Sequence, residues 1–235
     1  MIGKRVLTVV ALLIAMTGCA TVEKQAFNKE GALNFKTVTV TERTGDETYA
    51  IEILAHPGVN FGLIGGLVAA ADMQSKGARL TAALDPKATL LQQRFASKLA
   101  ESLNNQGYQT SVTAVDKTIE DKLVFDSIRT KVTADSLLTV SIQGKYIAAG
   151  PSSDYFPFIV VKVICNDQKT GKKLYQDTIT YGYNFPATQA VHLPADPGVR
   201  FKDMDALVAD PLKTRAALYA GVDAIVAQIT ADLKQ

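Results

Sequence analysis

Two cysteines and two histidines are the side chains of this 235-residue chain best suited to nucleophilic, redox or metal chemistry. Their neighbours decide what each can do. Cys19 ends the run Met16-Thr17-Gly18-Cys19, directly behind an apolar stretch that starts at Val6. Cys165 closes the apolar run from Phe158 to Ile164, which suits a packed strand residue better than a reactive thiol. His56 and His192 stand beside prolines or apolar residues, with no metal-ligand spacing around them. Asp196, Asp203 and Asp205 lack the oxygen-rich loop pattern of a calcium site. The chain has no G-x-S-x-G elbow, no H-E-x-x-H helix and no phosphate-binding G-x-x-x-x-G-K-[ST] loop, and Gly62-Leu63-Ile64-Gly65-Gly66 does not fit the dinucleotide fingerprint. No catalytic residue, metal or cofactor is therefore expected. A triad drawn from distant residues would show only as geometry, so a hydrolase or ligand carrier stands as one alternative; it requires a deep pocket with convergent polar groups.

The chemistry that remains is at Cys19. Lys4 and Arg5 form a basic start, Val6 to Met16 an apolar core, and Thr17-Gly18 a small-residue cleavage site. That is the order of a secretory signal peptide. The apolar run is shorter than the roughly 20 residues needed to span a bilayer. Met16-Thr17-Gly18-Cys19 resembles the lipobox of bacterial lipoproteins. The resemblance implies a diacylglycerol on the Cys19 thiol, cleavage just before it, and loss of residues 1–18. More than one acyl chain gives a durable tether. Ala20, rather than Asp, follows the cysteine, and in envelopes of the enteric type this implies an outer-membrane anchor with the domain facing the periplasm.

Charge must be counted on the mature chain. Lys and Arg total 25, of which Lys4 and Arg5 leave with the signal, so 23 face the 23 Asp and Glu. A neutral chain gives no sign of the strongly basic face typical of nucleic-acid binding. With Cys19 lipidated, Cys165 has no partner for an intramolecular disulfide. The expected organisation is a signal peptide over 1–18, a lipidated and flexible tether over 19–33, and one periplasmic domain over 34–235, long enough for a proper core.

Along that domain, Phe35 to Thr41 and Tyr49 to Leu54 alternate around the turn Thr44-Gly45-Asp46 and read as two strands, a candidate hairpin. Asp85-Pro86 supplies an N-cap and first helical residue, and Leu91, Phe95, Leu99 and Leu103 recur every four residues up to Gly107. Tyr108 to Val115 reads as a strand and Lys117 to Arg129 as a helix. Ser136 to Ile147, Phe156 to Cys165 and Leu174 to Tyr183 read as strands, the last two joined through the turn-rich Asn166 to Lys172. Asp210-Pro211 opens a final helix striped with Leu212, Tyr219, Val222, Val226, Ile229 and Leu233. The fold class is α/β, or α+β: a mixed β-sheet covered by helices, with a C-terminal β-meander and a final helix.

Leu103-Asn104-Asn105-Gln106-Gly107-Tyr108, then Thr133-Ala134-Asp135-Ser136-Leu137-Leu138 leading a strand, then an Asp-x-x-Thr-Gly-Lys hairpin, resemble the fold shared by the N-terminal domain of TolB, the penicillin-binding-protein activator LpoB and the curli secretion lipoprotein CsgG. The resemblance covers about Phe35 to Tyr183. It implies a periplasmic domain that binds proteins and catalyses nothing.

Two segments fall outside it. Gly58, Gly62 and Gly66 recur every four residues among Phe61, Leu63, Ile64 and other apolar residues, with no charge from Phe61 to Ala71. A helix there would be a membrane-touching or self-associating surface, as in small-xxx-small contacts. The expectation for it, ahead of that surface, is a Gly/Ala-rich helix buried on the sheet. From Asn184 to Asp210 the sequence reads as a long loop in which Phe185, His192, Leu193 and Phe201 either grip a partner or pin the loop down. The leading expectation is a membrane-anchored, non-enzymatic accessory factor that binds envelope proteins. The alternative from the Gly-rich segment is a homo-oligomeric secretion or pore component.

Overall fold

A computed structural model describes residues 23–185 and 190–234. Its frame is a meander of three long strands: β4 (Ser136–Ala148), β5 (Tyr155–Asp167) and β6 (Lys173–Gly182). Alternation sends Leu138, Val140, Ile142 and Tyr146 of β4 to one face, where they meet Val161, Val163 and Cys165 of β5. The hairpin at Asn166 to Lys172 forms as expected. Asp167 Oδ1 accepts hydrogen bonds from the amides of Lys169 and Thr170 at 2.8 and 2.9 Å, and Gly171 takes the positive φ of 73° that the turn requires.

The first two strands, β1 (Thr37–Thr44) and β2 (Ala50–Ile53), form where the alternation places them but do not pair with each other. Both run parallel to β4: Val38 to Val40 lie against Ser136 to Leu138, and Ala50 to Ile53 against Lys145 to Ala148. The candidate hairpin is thus corrected. Two parallel strands share one edge of a longer third, and the middle of that edge is left to neither. β3 (Gln109–Asp116) adds in parallel outside β1, and β7 (Val191–Pro194) in parallel outside β6. The strand order is β3-β1-β4-β5-β6-β7, with β2 on β4. β7 lies inside the segment expected to be a long loop; four residues ending in Pro194 gave no readable period.

Helices cover both faces of this mixed α/β sheet. On one lie α1 (Gly62–Leu84), the single turn α2 (Pro86–Thr89), α3 (Leu91–Asn104), the short α5 (Met204–Ala209) and α6 (Pro211–Asp232). Phe95, Leu99 and Leu103 of α3, Leu218, Val222, Ile225 and Ile229 of α6, and Leu80 and Leu84 of α1 are buried in one core with the sheet. Each such Leu or Ile contributes roughly 1.5–3 kcal/mol by leaving water. On the other face, α4 (Asp121–Ile128) packs Val124 and Ile128 on Val115 and Leu137.

Both Asp-Pro starts work as read. Asp85 Oδ1 accepts from Lys87 N at 3.1 Å, and Asp210 Oδ1 from Lys213 N at 3.0 Å. The first of these launches only α2. Leu90 then turns left-handed, at φ 43°, and α3 starts afresh.

Residues 23–33, expected as a free tether, lie along the domain. Gln25 exchanges backbone hydrogen bonds with Gln176 at 2.8 and 3.0 Å, Asn28 N donates to the Leu174 carbonyl, and Ala32 is buried. The folded body thus starts ahead of residue 34.

Candidate functional site

The Gly-rich segment folds into a 3-10 turn, Pro57–Phe61, followed by the N-terminal half of α1. The turn is set by His56, whose Nδ1 accepts from Gly58 N at 3.1 Å while its Nε2 lies 3.3 Å from Asp72 Oδ2. Lys76 Nζ donates to the same Asp72 oxygen at 2.6 Å. The Lys76 hydrogen bond first, and His56 after it, hold the Asp72 carboxyl below its ordinary range. Turn and helix are therefore clamped together.

Their contact is made by backbone. A Cβ on Gly65 would stand 2.1 Å from the Gly58 carbonyl oxygen, so only glycine allows the approach. Gly62 (φ 65°) and Gly66 face open space instead. The four-residue spacing of Gly58, Gly62 and Gly66 does not make a single packed face within the chain; Gly58 and Gly65 are the pair that touch.

The expectation of a buried helix is overturned for the side chains around these glycines. Phe61, Leu63, Ile64 and Leu67 are 76, 82, 78 and 64 % exposed, with Val59 and Val68 exposed beside them. Only Gly65 and Ala69 of this half are buried; the helix enters the core later, at Gly77, Leu80 and Leu84. Sequence alone could not separate the two outcomes, because the same apolar composition serves a core and an uncovered surface.

The residues of the expected partner loop scatter. Phe201 is buried: it trades backbone hydrogen bonds with Tyr155 at 2.7 and 3.0 Å and stands edge-on to Tyr146 at 5.5 Å, so it pins the chain and offers nothing to a partner. His192 and Leu193 sit in β7. The His192 Nδ1 lies 3.3 Å from Thr180 Oγ1, partial burial lowers the imidazole pKa, and Leu193 packs on the core. Phe185 joins Phe158 and Tyr183, each at 5.2 Å, in an aromatic group that also brings Phe156 to Tyr183.

Sequence reasoning missed a cleft of about 490 Å³ where β1 and β2 part along β4. Glu47, in the β1–β2 connection, caps α3: its carboxylate accepts from Leu91 N at 2.9 Å and Gln92 N at 2.7 Å, and from the Tyr49 hydroxyl. Burial and then Glu47 push the Tyr49 hydroxyl pKa up. Around the cleft, Arg43 reaches Asp121 at 3.5 Å and the carbonyls of Lys117 and Ile119; Lys145 pairs with Glu52; and Lys117 donates to the Asp46 carbonyl. Its cations are thus engaged by the protein itself. Arg43 Nη1 lacks a hydrogen-bond partner but is sealed from solvent, so it does not present itself to the cleft. No spacing could have revealed this arrangement, which depends on two strands sharing one edge.

Among the described residues no group of three or more His, Cys, Asp or Glu side chains is placed to hold a metal ion, and no helix is long and apolar enough to cross a membrane. The Cys165 thiol is buried, which pushes its pKa up to about 12; a thiol that stays protonated is a poor nucleophile. Cys19 lies outside the described residues.

No family model matches this chain, and no curated protein matches it. Solved structures similar to it include a PelC dodecamer from Paraburkholderia phytofirmans, at 12% identity and a TM-score of 0.38, over 92% of this chain and 100% of that one. A neuraminyllactose-binding hemagglutinin homolog from Helicobacter pylori is similar at 12% identity and 0.33, over 86% and 84%. Lipoprotein GNA1162 from Neisseria meningitidis is similar at 13% identity and 0.27, over 83% and 98%.

Proposed function

We propose that this chain is a membrane-anchored bacterial lipoprotein, held through lipid on Cys19 in the outer membrane and facing the periplasm. It acts there as a non-enzymatic accessory factor in a cell-envelope process by binding protein partners. The observation that carries the reading is Met16-Thr17-Gly18-Cys19 placed directly behind a basic start and an apolar run. Two further observations support it. The folded body starts within a few residues of Cys19, with Gln25 already paired to Gln176. The cleft beside Glu47 is lined by charges that answer one another rather than converging unpaired on a ligand.

The test is intact-mass spectrometry with membrane fractionation of the wild type beside Cys19→Ser, both expressed in a diderm bacterium. The expected wild-type product begins at Cys19, carries the mass of the acyl groups and sediments with the outer membrane, whereas Cys19→Ser keeps none of the added mass. Cross-linking in that fraction should then recover protein partners. An unlipidated, soluble wild-type product would overturn the reading.

A further inference from the structure

We infer that the apolar N-terminal half of α1 is a second membrane contact, dipping into the same leaflet that receives the lipid of Cys19. This rests on the anchored reading above and adds the surface by which the folded body itself meets the bilayer.

The first observation is the patch. Leu63, Ile64, Leu67, Val68 and Ala71 fall on one stripe of a helix at 100° per residue, with Phe61 at its tip. All six are exposed, and no charged residue interrupts the chain from Phe61 to Ala71. The stripe cannot rotate inward, because the opposite side of the helix is taken up by the Gly58–Gly65 backbone contact and by the His56–Asp72–Lys76 clamp. A contiguous uncovered apolar surface of this kind marks an interaction site.

The second is where the anchor leaves the fold. The segment around Gln25 runs antiparallel to β6, so from Asn28 back to Glu23 the chain travels in the direction in which β6 ascends to Gly182. Gly182 pairs with Phe158, Phe158 with Lys145, and Lys145 with Ala50. Beyond that level β2 and β4 end at Ile53 and Ala148, and the turn and the apolar half of α1 follow at once. The anchor-proximal chain and the patch therefore point to the same end of the sheet. At no more than about 3.6 Å per residue, four residues keep Cys19 within about 14 Å of Glu23.

The third is the way polarity is distributed. Protein interfaces carry an apolar centre ringed by polar residues. Here polarity changes along the helix axis: no charge up to Ala71, then Asp72, Lys76 and Arg79. That gradient matches depth in a bilayer, with the tip among acyl chains and the paired charges of Asp72, Lys76 and Arg79 at the polar headgroup level. At 1.5 Å per residue the uncharged run covers about 15 Å, half of the roughly 30 Å hydrocarbon core, so it enters one leaflet without crossing. An interfacial helix adds buried apolar area to the attachment that the lipid already provides.

The test places a nitroxide at Ile64→Cys and, separately, at Ser75→Cys in the mature lipidated protein, with intact mass confirming the acyl groups on Cys19. Buried Cys165 and acylated Cys19 leave the introduced thiol as the labelled one. Each protein is reconstituted into phosphatidylethanolamine–phosphatidylglycerol vesicles, and collisions with oxygen and with a water-soluble nickel chelate are compared. The expected result is a nitroxide at 64 that becomes several-fold more accessible to oxygen than to nickel when vesicles are present, while the one at 75 stays accessible to nickel. A lipidated protein whose position 64 remains open to nickel would overturn the membrane contact and leave the anchor standing. Shielding of position 64 from both reagents would overturn it in favour of a second copy of the chain. A wild-type mass without acyl groups would overturn the anchored reading, and this inference with it.

Discussion

The Oδ2 atom of Asp135 accepts three hydrogen bonds at 2.8 Å, from the amides of Lys36 and Thr37 and from the Thr37 hydroxyl, while Asp135 N donates back to Thr37 Oγ1 at 2.8 Å. One carboxylate thus ties the start of β1 to the start of β4, nearly a hundred residues apart in sequence. The hydrogen bond from Lys36 first, then those from Thr37, hold its carboxyl below the ordinary range. Asp135→Ala should cost about 2 kcal/mol at neutral pH, in the range of hydrogen bonds to a charged group. The sign of its pH dependence follows from the lowered folded value. The contribution is complete above the ordinary carboxylate pKa of about 3.9 and is lost as the pH falls through the depressed value in the folded state. Urea unfolding of wild type and Asp135→Ala at pH 7 and again near pH 3 should show the gap between them narrowing in acid. An unchanged gap would mean that the three hydrogen bonds do not depend on the charge.

At the scale of the element, α1 sets two adjacent glycines in opposite roles. Gly65 lies against the Gly58 carbonyl, whereas a methyl group on Gly66 would meet nothing within 4 Å. Gly66→Ala should stabilise the domain by up to about 1 kcal/mol, the difference in helix propensity. Gly65→Ala should destabilise it by about 1–3 kcal/mol, the usual cost of overpacking, by prising the Pro57–Phe61 turn off the helix. Thermal unfolding of the two variants reads both signs, and a shift in the same direction for both would contradict this packing. Such a pair also marks the limit of what sequence reveals. The helix starts at Asp85 and Asp210 were legible because a cap and a proline act on their own neighbours, and the β5–β6 hairpin because Asp167 and Gly171 build a local turn. The partners of β1 and β2 were not, since each parallel pairing is made with β4 from far along the chain. The exposure of Phe61, Leu63 and Ile64 was likewise hidden, because it depends on how far α1 extends past the end of β2. Of the candidate surfaces, the sequence could point to the uncharged run but not to the cleft at Glu47.

At the scale of the whole molecule, the N-terminal segment decides how the folded body is coupled to whatever precedes it. Lys24 Nζ sits 3.0 Å from Asp177 Oδ2, with the Lys24 side chain 51% exposed and that of Asp177 1%. Gln25 pairs with Gln176 next door, and its side chain donates to the Lys173 carbonyl at 2.8 Å. Asp177 occupies a core-facing position opposite Val163, and its carboxylate is answered there by this borrowed cation and by the amide of Thr178 at 2.7 Å. Removing one partner of a buried pair costs more than the pair itself contributes, because the remaining charge is stranded. Lys24→Ala should therefore destabilise the domain by about 2 kcal/mol, below the 3–5 kcal/mol of a fully buried pair because water already reaches Lys24. Adding Asp177→Asn to it should recover part of the loss, since a neutral amide no longer needs the cation. Hydrogen exchange provides the structural readout: the Gln25 amide should be protected in the wild type and exchange many-fold faster in Lys24→Ala, while amides in the middle of β5 follow only the global stability. If the Gln25 amide exchanges freely in the wild type, the segment is a loose tether that is not coupled to β6. If it is protected, the segment belongs to the folded body, and any pull on the chain ahead of it is passed directly to β6.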